Sequence, residues 1–293
     1  MIYKLLPHTK ENIFGFDRNS AQMVGWEISK FDITKYWNKT TGKNVRIGVL
    51  DSGCDSTHDD LKDNIVSGYN TFTKSTDVND DNGHGTHVAG TIAASNNKVG
   101  MVGVAPDATI VPIKVLDRSG SGSASNIADG INWAVDNGCE ILTMSLASRH
   151  SVSSIERAMA YAHKNNVIVV CAAGNSGKNT SIMYPANSNN AIAVGAINQS
   201  LEICDFSCMG SELDFLSPGD KIFSCAPKNS YAIMSGTSMA TPFAVGCIAL
   251  TLSYLKSKNL STSNIIDLLK NHSIKSNNYP DSQGIIRPLV TYD

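Results

Sequence analysis

Three observations in this sequence predict an α/β fold, doubly wound, with a mostly parallel central sheet and helices on both faces. Short, nearly continuous apolar runs recur along the chain, helical periodicities separate them, and candidate reactive residues stand where runs end. The runs are Val45 to Leu50, Ile110 to Leu116, Ile141 to Ser145, Val167 to Ala173 and Ala191 to Ile197. Each has the length of a strand, and such unbroken apolarity suits a parallel sheet covered on both faces. Between them, Ile127, Ile131, Ala134 and Val135 mark one face of a helix, and Ile155, Ala158, Met159 and Ala162 mark another. Strand and helix in alternation give a doubly wound sheet. Asp51 ends the first run and Asn175 closely follows the fourth, so both fall at carboxyl ends of strands, where open α/β sheets place their sites.

The chain has 293 residues and a 42% hydrophobic share, which suits one large packed domain. Net charge is −2 and no lysine-arginine run occurs, so nothing points to nucleic acid or to an anionic membrane surface. Peptide is the more natural partner. The start, Met1 to Lys10, has no apolar core of signal-peptide length, and no later stretch is long enough to span a bilayer. Seven cysteines at irregular spacings argue against a disulfide framework and for a reducing compartment, hence a cytoplasmic protein. Cys204 and Cys208 sit four apart without a second pair, which favours buried thiols over zinc. Cys54, close to Asp51, reads as a small apolar residue in a turn.

Three motifs carry the chemistry: Val49-Leu50-Asp51-Ser52-Gly53-Cys54-Asp55, Asn82-Gly83-His84-Gly85-Thr86-His87 running on to Thr91, and Ser235-Gly236-Thr237-Ser238-Met239-Ala240-Thr241-Pro242. A serine oxygen attacks a peptide bond when a base takes its proton, and a histidine serves as that base when its other nitrogen is held and its cationic form stabilised. Ser238, His84 and Asp51 fit those roles, with small residues on either side of the serine and histidine that let a substrate backbone come close.

The chain order Asp, His, Ser and the motifs around each residue resemble the subtilases, from about Gln22 to the C-terminus. The resemblance implies a serine endopeptidase in which His84, rather than His87, is the base. Cys171-Ala172-Ala173-Gly174-Asn175 resembles the family segment whose asparagine donates to the oxyanion. Losing that donor costs on the order of 100- to 1000-fold in turnover, a figure that comes from subtilisin itself. Gly120, Ser121 and Gly122 resemble one edge of the substrate cleft and Ser145, Leu146 and Ala147 the other, with Ala172, Ala173 and Gly174 beside them. A peptide would add between these edges as a strand. Ala147 and Met183 stand where the family commonly has glycine, so a shallower pocket and narrower specificity are expected. A calcium site is implied as well, with side chains from Gln22, Asp60 and Asn97 and backbone carbonyls from Ser95, Val99 and Met101; oxygen ligands are what that hard cation requires.

Within the family, the sequence is similar to the intracellular subtilisins. The pointers are the absent signal peptide, the absent long propeptide, Cys54 in its motif, and Leu5-Leu6-Pro7-His8, which looks like the short segment with which those enzymes block their own cleft. A proline there lacks a donor and fixes its own φ, and so would misalign the bond nearest the nucleophile. The expected organisation is an inhibitory extension over 1–21 and a catalytic domain over 22–293. Two other readings stand beside it. One is a cytoplasmic leader peptidase trimming a modified peptide such as a lantibiotic precursor. The other is a catalytically silent peptide-binding relative, against which the presence of Asp51, His84, Ser238 and Asn175 argues.

Overall fold

All five apolar runs become strands of one parallel sheet. The computed structural model describes residues 2–13, 21–275 and 282–290; residues 14–20 of the expected extension and the chain end from 291 lie outside the described residues. In chain order the elements are β1 (Ile2–Leu5), β2 (Thr9–Ile13), α1 (Trp26–Lys30), β3 (Arg46–Asp51), β4 (Tyr69–Asn70), α2 (His84–Ala93), β5 (Thr109–Lys114), β6 (Ser121–Ser123) and α3 (Ala124–Asp136). There follow β7 (Ile141–Met144), β8 (Leu146–Ala147), α4 (Ser153–Lys164), β9 (Ile168–Ala172), β10 (Ile192–Ile197), β11 (Leu213–Pro218), β12 (Ile222–Ala226), β13 (Ser230–Ser235), α5 (Thr237–Ser257) and α6 (Ile265–His272).

The central sheet has the order β11-β10-β9-β7-β3-β5-β4, and its paired strands are parallel. Residues of β3, β5, β7 and β9 are buried almost throughout, which explains their unbroken apolarity. Helices α2 and α5 pack on each other, as do α3 and α4, so helices cover both faces as expected. In α3 the buried positions Ile127, Ile131 and Ala134 lie on one face, and the Ser123 hydroxyl caps the helix by accepting from Asn126 N at 3.1 Å. Phe243, also in α5, packs its ring against Phe31 at 5.6 Å.

The expectation that no stretch is long enough to span a bilayer needs correction. Helix α5 has 21 residues and is long and apolar enough to do so, yet its apolar window is entirely buried within the fold. A helix hydrophobic on every side is the core of a large domain when sheet and helices surround it. That is the position of α5, against β10, β11 and α2.

The N-terminal residues are not a detached tail. Strand β1 inserts antiparallel between β6 and β8 in a three-stranded sheet, and β2 adds antiparallel to β13. Gly120, at φ +73°, permits the close approach: a Cβ there would lie 2.7 Å from Leu5 Cδ1.

His87 ties α2 to the β12–β13 hairpin, its Nε2 lying 3.1 Å from Ile222 O and 3.2 Å from Ala232 O. Burial, reinforced by nearby His84, lowers its pKa to about 3. An unfolded histidine takes its proton near pH 6.5, so between that pH and about 3 the unfolded chain binds the extra proton. Stability should therefore fall with pH over that window, by up to ~1.4 kcal/mol per unit from this group. Denaturant titrations at pH 7 and pH 5 should show the gap between the parent and His87→Gln shrinking at the lower pH.

Candidate active site

At the carboxyl edge of the sheet, Asp51 is the last residue of β3 and His84 the first of α2. His84 Nδ1 lies 2.9 Å from both Asp51 carboxylate oxygens, and both side chains are buried. A second carboxylate braces the pair. Asp80 Oδ1 accepts from Ser52 Oγ (2.9 Å), Asn82 N (3.1 Å) and Gly83 N (2.8 Å), and Oδ2 accepts from Thr86 N (2.9 Å) and Thr86 Oγ1 (2.6 Å). These donors include amides around the start of α2, where a negative charge is favoured. Ser52 closes the brace: its hydroxyl accepts from Gly85 N at 3.1 Å and its amide donates to Asp51 Oδ1 at 2.8 Å.

Ser238 lies in the first turn of α5, and its hydroxyl donates to Ser145 O at 3.4 Å. His84 Nε2 is buried without a hydrogen-bond partner among the described residues. The His8 ring lies against the His84 ring, centroids 5.0 Å apart. Burial, followed by the neighbouring His84, holds the His8 pKa below its ordinary value.

Asn175 follows β9. Its Oδ1 accepts from Thr237 N (2.9 Å) and Thr237 Oγ1 (2.8 Å), which leaves Nδ2 to point into the cleft, where it donates to Pro7 O at 2.7 Å. Leu6, 3% exposed, packs with Ala147 and Ala172, and Met183 lies against the same cluster. Tyr3 is fully buried against Tyr184, with ring centroids 6.1 Å apart. Gly120 O accepts from Leu5 N at 2.8 Å, Ser121 and Gly122 pair with Lys4 and Tyr3, and Leu146 and Ala147 pair with Leu5 and Lys4. Ala173 O accepts from Met183 N at 2.9 Å, which seats Met183 beside Gly174. Both predicted edges, with Ala147 and Met183, thus surround one extended segment, residues 3–6. That segment sits unevenly: the pocket holds Leu6, while the Asn175 amide holds the carbonyl of the next residue, Pro7.

Gln22, Asp60, Ser95, Asn97 and Met101 also come together. Gln22 Nε2 donates to Ser95 O (2.8 Å), Met101 O (2.9 Å) and Asn97 Oδ1 (3.2 Å), and Asn97 Nδ2 donates to Asp60 Oδ1 at 3.1 Å. Three oxygens converging on one positively polarised group form a donor set that fits a hard cation. Val99 joins through its amide, which donates to Asn97 Oδ1 at 3.1 Å. His58, Asp60 and Cys225 form another cluster of ligand-type residues, but both His58 nitrogens are engaged, with Ser230 O and with Asp60 N. The seven cysteines are unpaired and buried, and burial pushes the Cys54, Cys204 and Cys208 thiols up.

Sequence reasoning passed over Asp80, Ser52 and Thr237. Asp80 was visible only as an acidic residue ahead of Asn82-Gly83, the composition of an ordinary turn. Its structural weight is testable. Asp80→Ala would strand several buried donors and should cost about 3 kcal/mol, whereas Asp80→Asn, which keeps one acceptor, should cost less; urea unfolding measures both.

The subtilase family profile matches residues 42–285. Subtilisin Savinase of Lederbergia lenta is 46% identical over 253 residues, 86% of this chain and 90% of that protein. The major intracellular serine protease of Bacillus subtilis (strain 168) is 44% identical over 229 residues, 74% and 72% of the two chains. An intracellular serine protease of Paenibacillus polymyxa is 44% identical over 223 residues, 73% and 68%. An alkaline protease of Alkalihalobacillus alcalophilus is 46% identical, with 64% of its length covered. With the parallel sheet and the site geometry, these matches place the chain in the subtilase family of serine endopeptidases.

Proposed function

We propose that peptide-bond hydrolysis proceeds through Ser238 as nucleophile, His84 as general base, Asp51 as the group that holds His84, and Asn175 as an oxyanion donor. The observation that carries this reading is the Asn175 amide donating to a peptide carbonyl in the cleft, Pro7 O at 2.7 Å. His84 Nε2 takes the Ser238 proton as Oγ attacks the scissile carbonyl carbon, and Asp51 stabilises the resulting imidazolium. The carbonyl oxygen becomes an anion facing Asn175 Nδ2, whose orientation Thr237 fixes in advance. Collapse breaks the C–N bond, and the leaving amine takes the proton from His84. Water then enters, gives a proton to His84 and attacks the acyl carbon; the ester C–O bond breaks, His84 returns the proton to Ser238 Oγ, and the carboxylic acid leaves.

On this reading residues 1–21 are a built-in inhibitor of the catalytic domain over 22–293. Support comes from β1 filling the substrate channel, from Leu6 in the pocket, and from His84 Nε2 left without a partner. Tethering supplies an effective concentration in the millimolar range, so weak contacts suffice. The names of the Bacillus subtilis and Paenibacillus polymyxa relatives support an intracellular type and a cytoplasmic setting. Calcium held by Gln22, Asp60, Asn97 and the carbonyls of Ser95, Val99 and Met101 would stiffen the loop after α2. Met183 against the pocket cluster favours a second reading, a dedicated leader peptidase with a narrow substrate range.

Three measurements bear on this. A version starting near Ala21 should turn over a short chromogenic peptide faster than the full chain, and Ser238→Ala should be inactive and keep its extension. Equal turnover by the two folded forms would reject the inhibitor. Chelation should lower the melting temperature of calcium-loaded protein, since an ion at 100 times its dissociation constant adds about 2.7 kcal/mol. Asp60→Ala should remove that dependence. Met183→Gly should admit bulky aromatic side chains before the cut, a change of roughly 1 to 3 kcal/mol per excluded group. An unchanged preference would place Met183 outside the pocket in solution.

A further inference from the structure

The oxyanion segment is gripped from behind by a short stretch that the chemistry above does not use. Gly177 N donates to Phe206 O at 2.9 Å, Lys178 N to Asp205 O at 3.2 Å, and Cys208 N to Gly174 O at 2.9 Å. Ala196 N, in β10, donates to Ser207 Oγ at 3.0 Å and ties this stretch to the central sheet. Cys208 contributes a side-chain contact as well: its sulfur accepts from Ser176 N at 3.4 Å. The residue is fully buried.

Cys208 therefore grips both neighbours of Asn175, the Gly174 carbonyl through its amide and the Ser176 amide through its thiol. Its sulfur also occupies the space behind Gly174. A Cβ on that glycine would lie 2.8 Å from Cys208 Sγ and 2.9 Å from Met183 Cγ, so thiol and thioether bracket the backbone where φ is +123°. Thr237 fixes the direction of the Asn175 amide and holds Gly174 N through its hydroxyl at 3.3 Å, whereas Cys208 holds the backbone on both sides of Asn175. We infer that Cys208 is a positioning residue for Asn175, setting the height of the oxyanion donor in the cleft. Donors of this kind act only when held within about 0.5 Å of their productive place.

The inference rests on the proposed role of Asn175, and a double-mutant cycle separates the two. Cys208→Ala, Asn175→Ala and the double variant are made in the full chain carrying Leu6→Asp, whose charge would unseat residues 2–8 from the pocket. Turnover of saturating chromogenic peptide is measured per serine titrated by sulfonyl fluoride, so that misfolded protein is not counted. Cys208→Ala should lower kcat about tenfold with KM changed less than twofold, and should lower kcat less than twofold when Asn175 is already alanine. Should Cys208→Ala fail to fold, Cys208→Ser, which keeps an acceptor, should show the same pattern at about threefold. An equal loss in both backgrounds would make Cys208 a packing residue and overturn the inference. A change in KM alone, or no change, would do the same. Full activity in Asn175→Ala alone would instead reject the oxyanion assignment, and this inference with it.

Discussion

Polar groups buried at the carboxyl edge of the sheet need partners, and the site is organised around that constraint. The Asp80 carboxylate meets most of it. Its five hydrogen bonds join the residue after Asp51 to the helix that begins with His84, so two segments 33 residues apart behave as one unit. Thr237 does the same for Asn175, using a backbone and a hydroxyl donor to turn the amide. Within this satisfied network His84 Nε2 is, among the described residues, the one atom of the candidate triad left without a hydrogen-bond partner. It is also the atom whose proton transfer the proposed chemistry requires.

The N-terminal strand meets a different constraint, that of backbone pairing. β1 supplies ladder bonds to two edge strands at once, and the side chains of Tyr3 and Leu6 are both buried, Tyr3 against Tyr184 and Leu6 with Ala147 and Ala172. A substrate would bind by the same mode. What distinguishes this strand is the one-residue offset between the side chain in the pocket and the carbonyl at Asn175. Pro7 sits at the offset. It has no amide to donate, and its ring fixes φ, so the chain has little freedom to slide back into register.

Much of this could be read from residues alone. The five strands were legible because burial on both faces leaves no polar alternation, and α3 and α4 because one face of each is apolar. The triad candidates and Asn175 were legible because their motifs combine a reactive residue with small neighbours. Asp80, Ser52, Thr237 and Cys208 were not: each acts through partners distant in sequence, and nothing in a local pattern separates them from turn residues or core thiols. Helix α5 misled for the opposite reason, since its scattered threonines and serines and its one glycine disguise a helix apolar enough for a membrane yet buried in protein. The pairing of β2 with β13 carried no local signal, because Thr9 to Asn12 is polar throughout and gives no apolar alternation.

The most direct test is to see where the chain cuts itself. Intact-mass measurement over time on the full chain and on Pro7→Ala should show no cleavage between Leu6 and His8 in the parent. Pro7→Ala regains an amide and a free φ, so Leu6 and its own carbonyl can enter pocket and oxyanion donor together, and loss of residues 1–6 should accumulate. Cleavage of the parent at Leu6–Pro7 or Pro7–His8 as fast as in Pro7→Ala would contradict a strand held out of register.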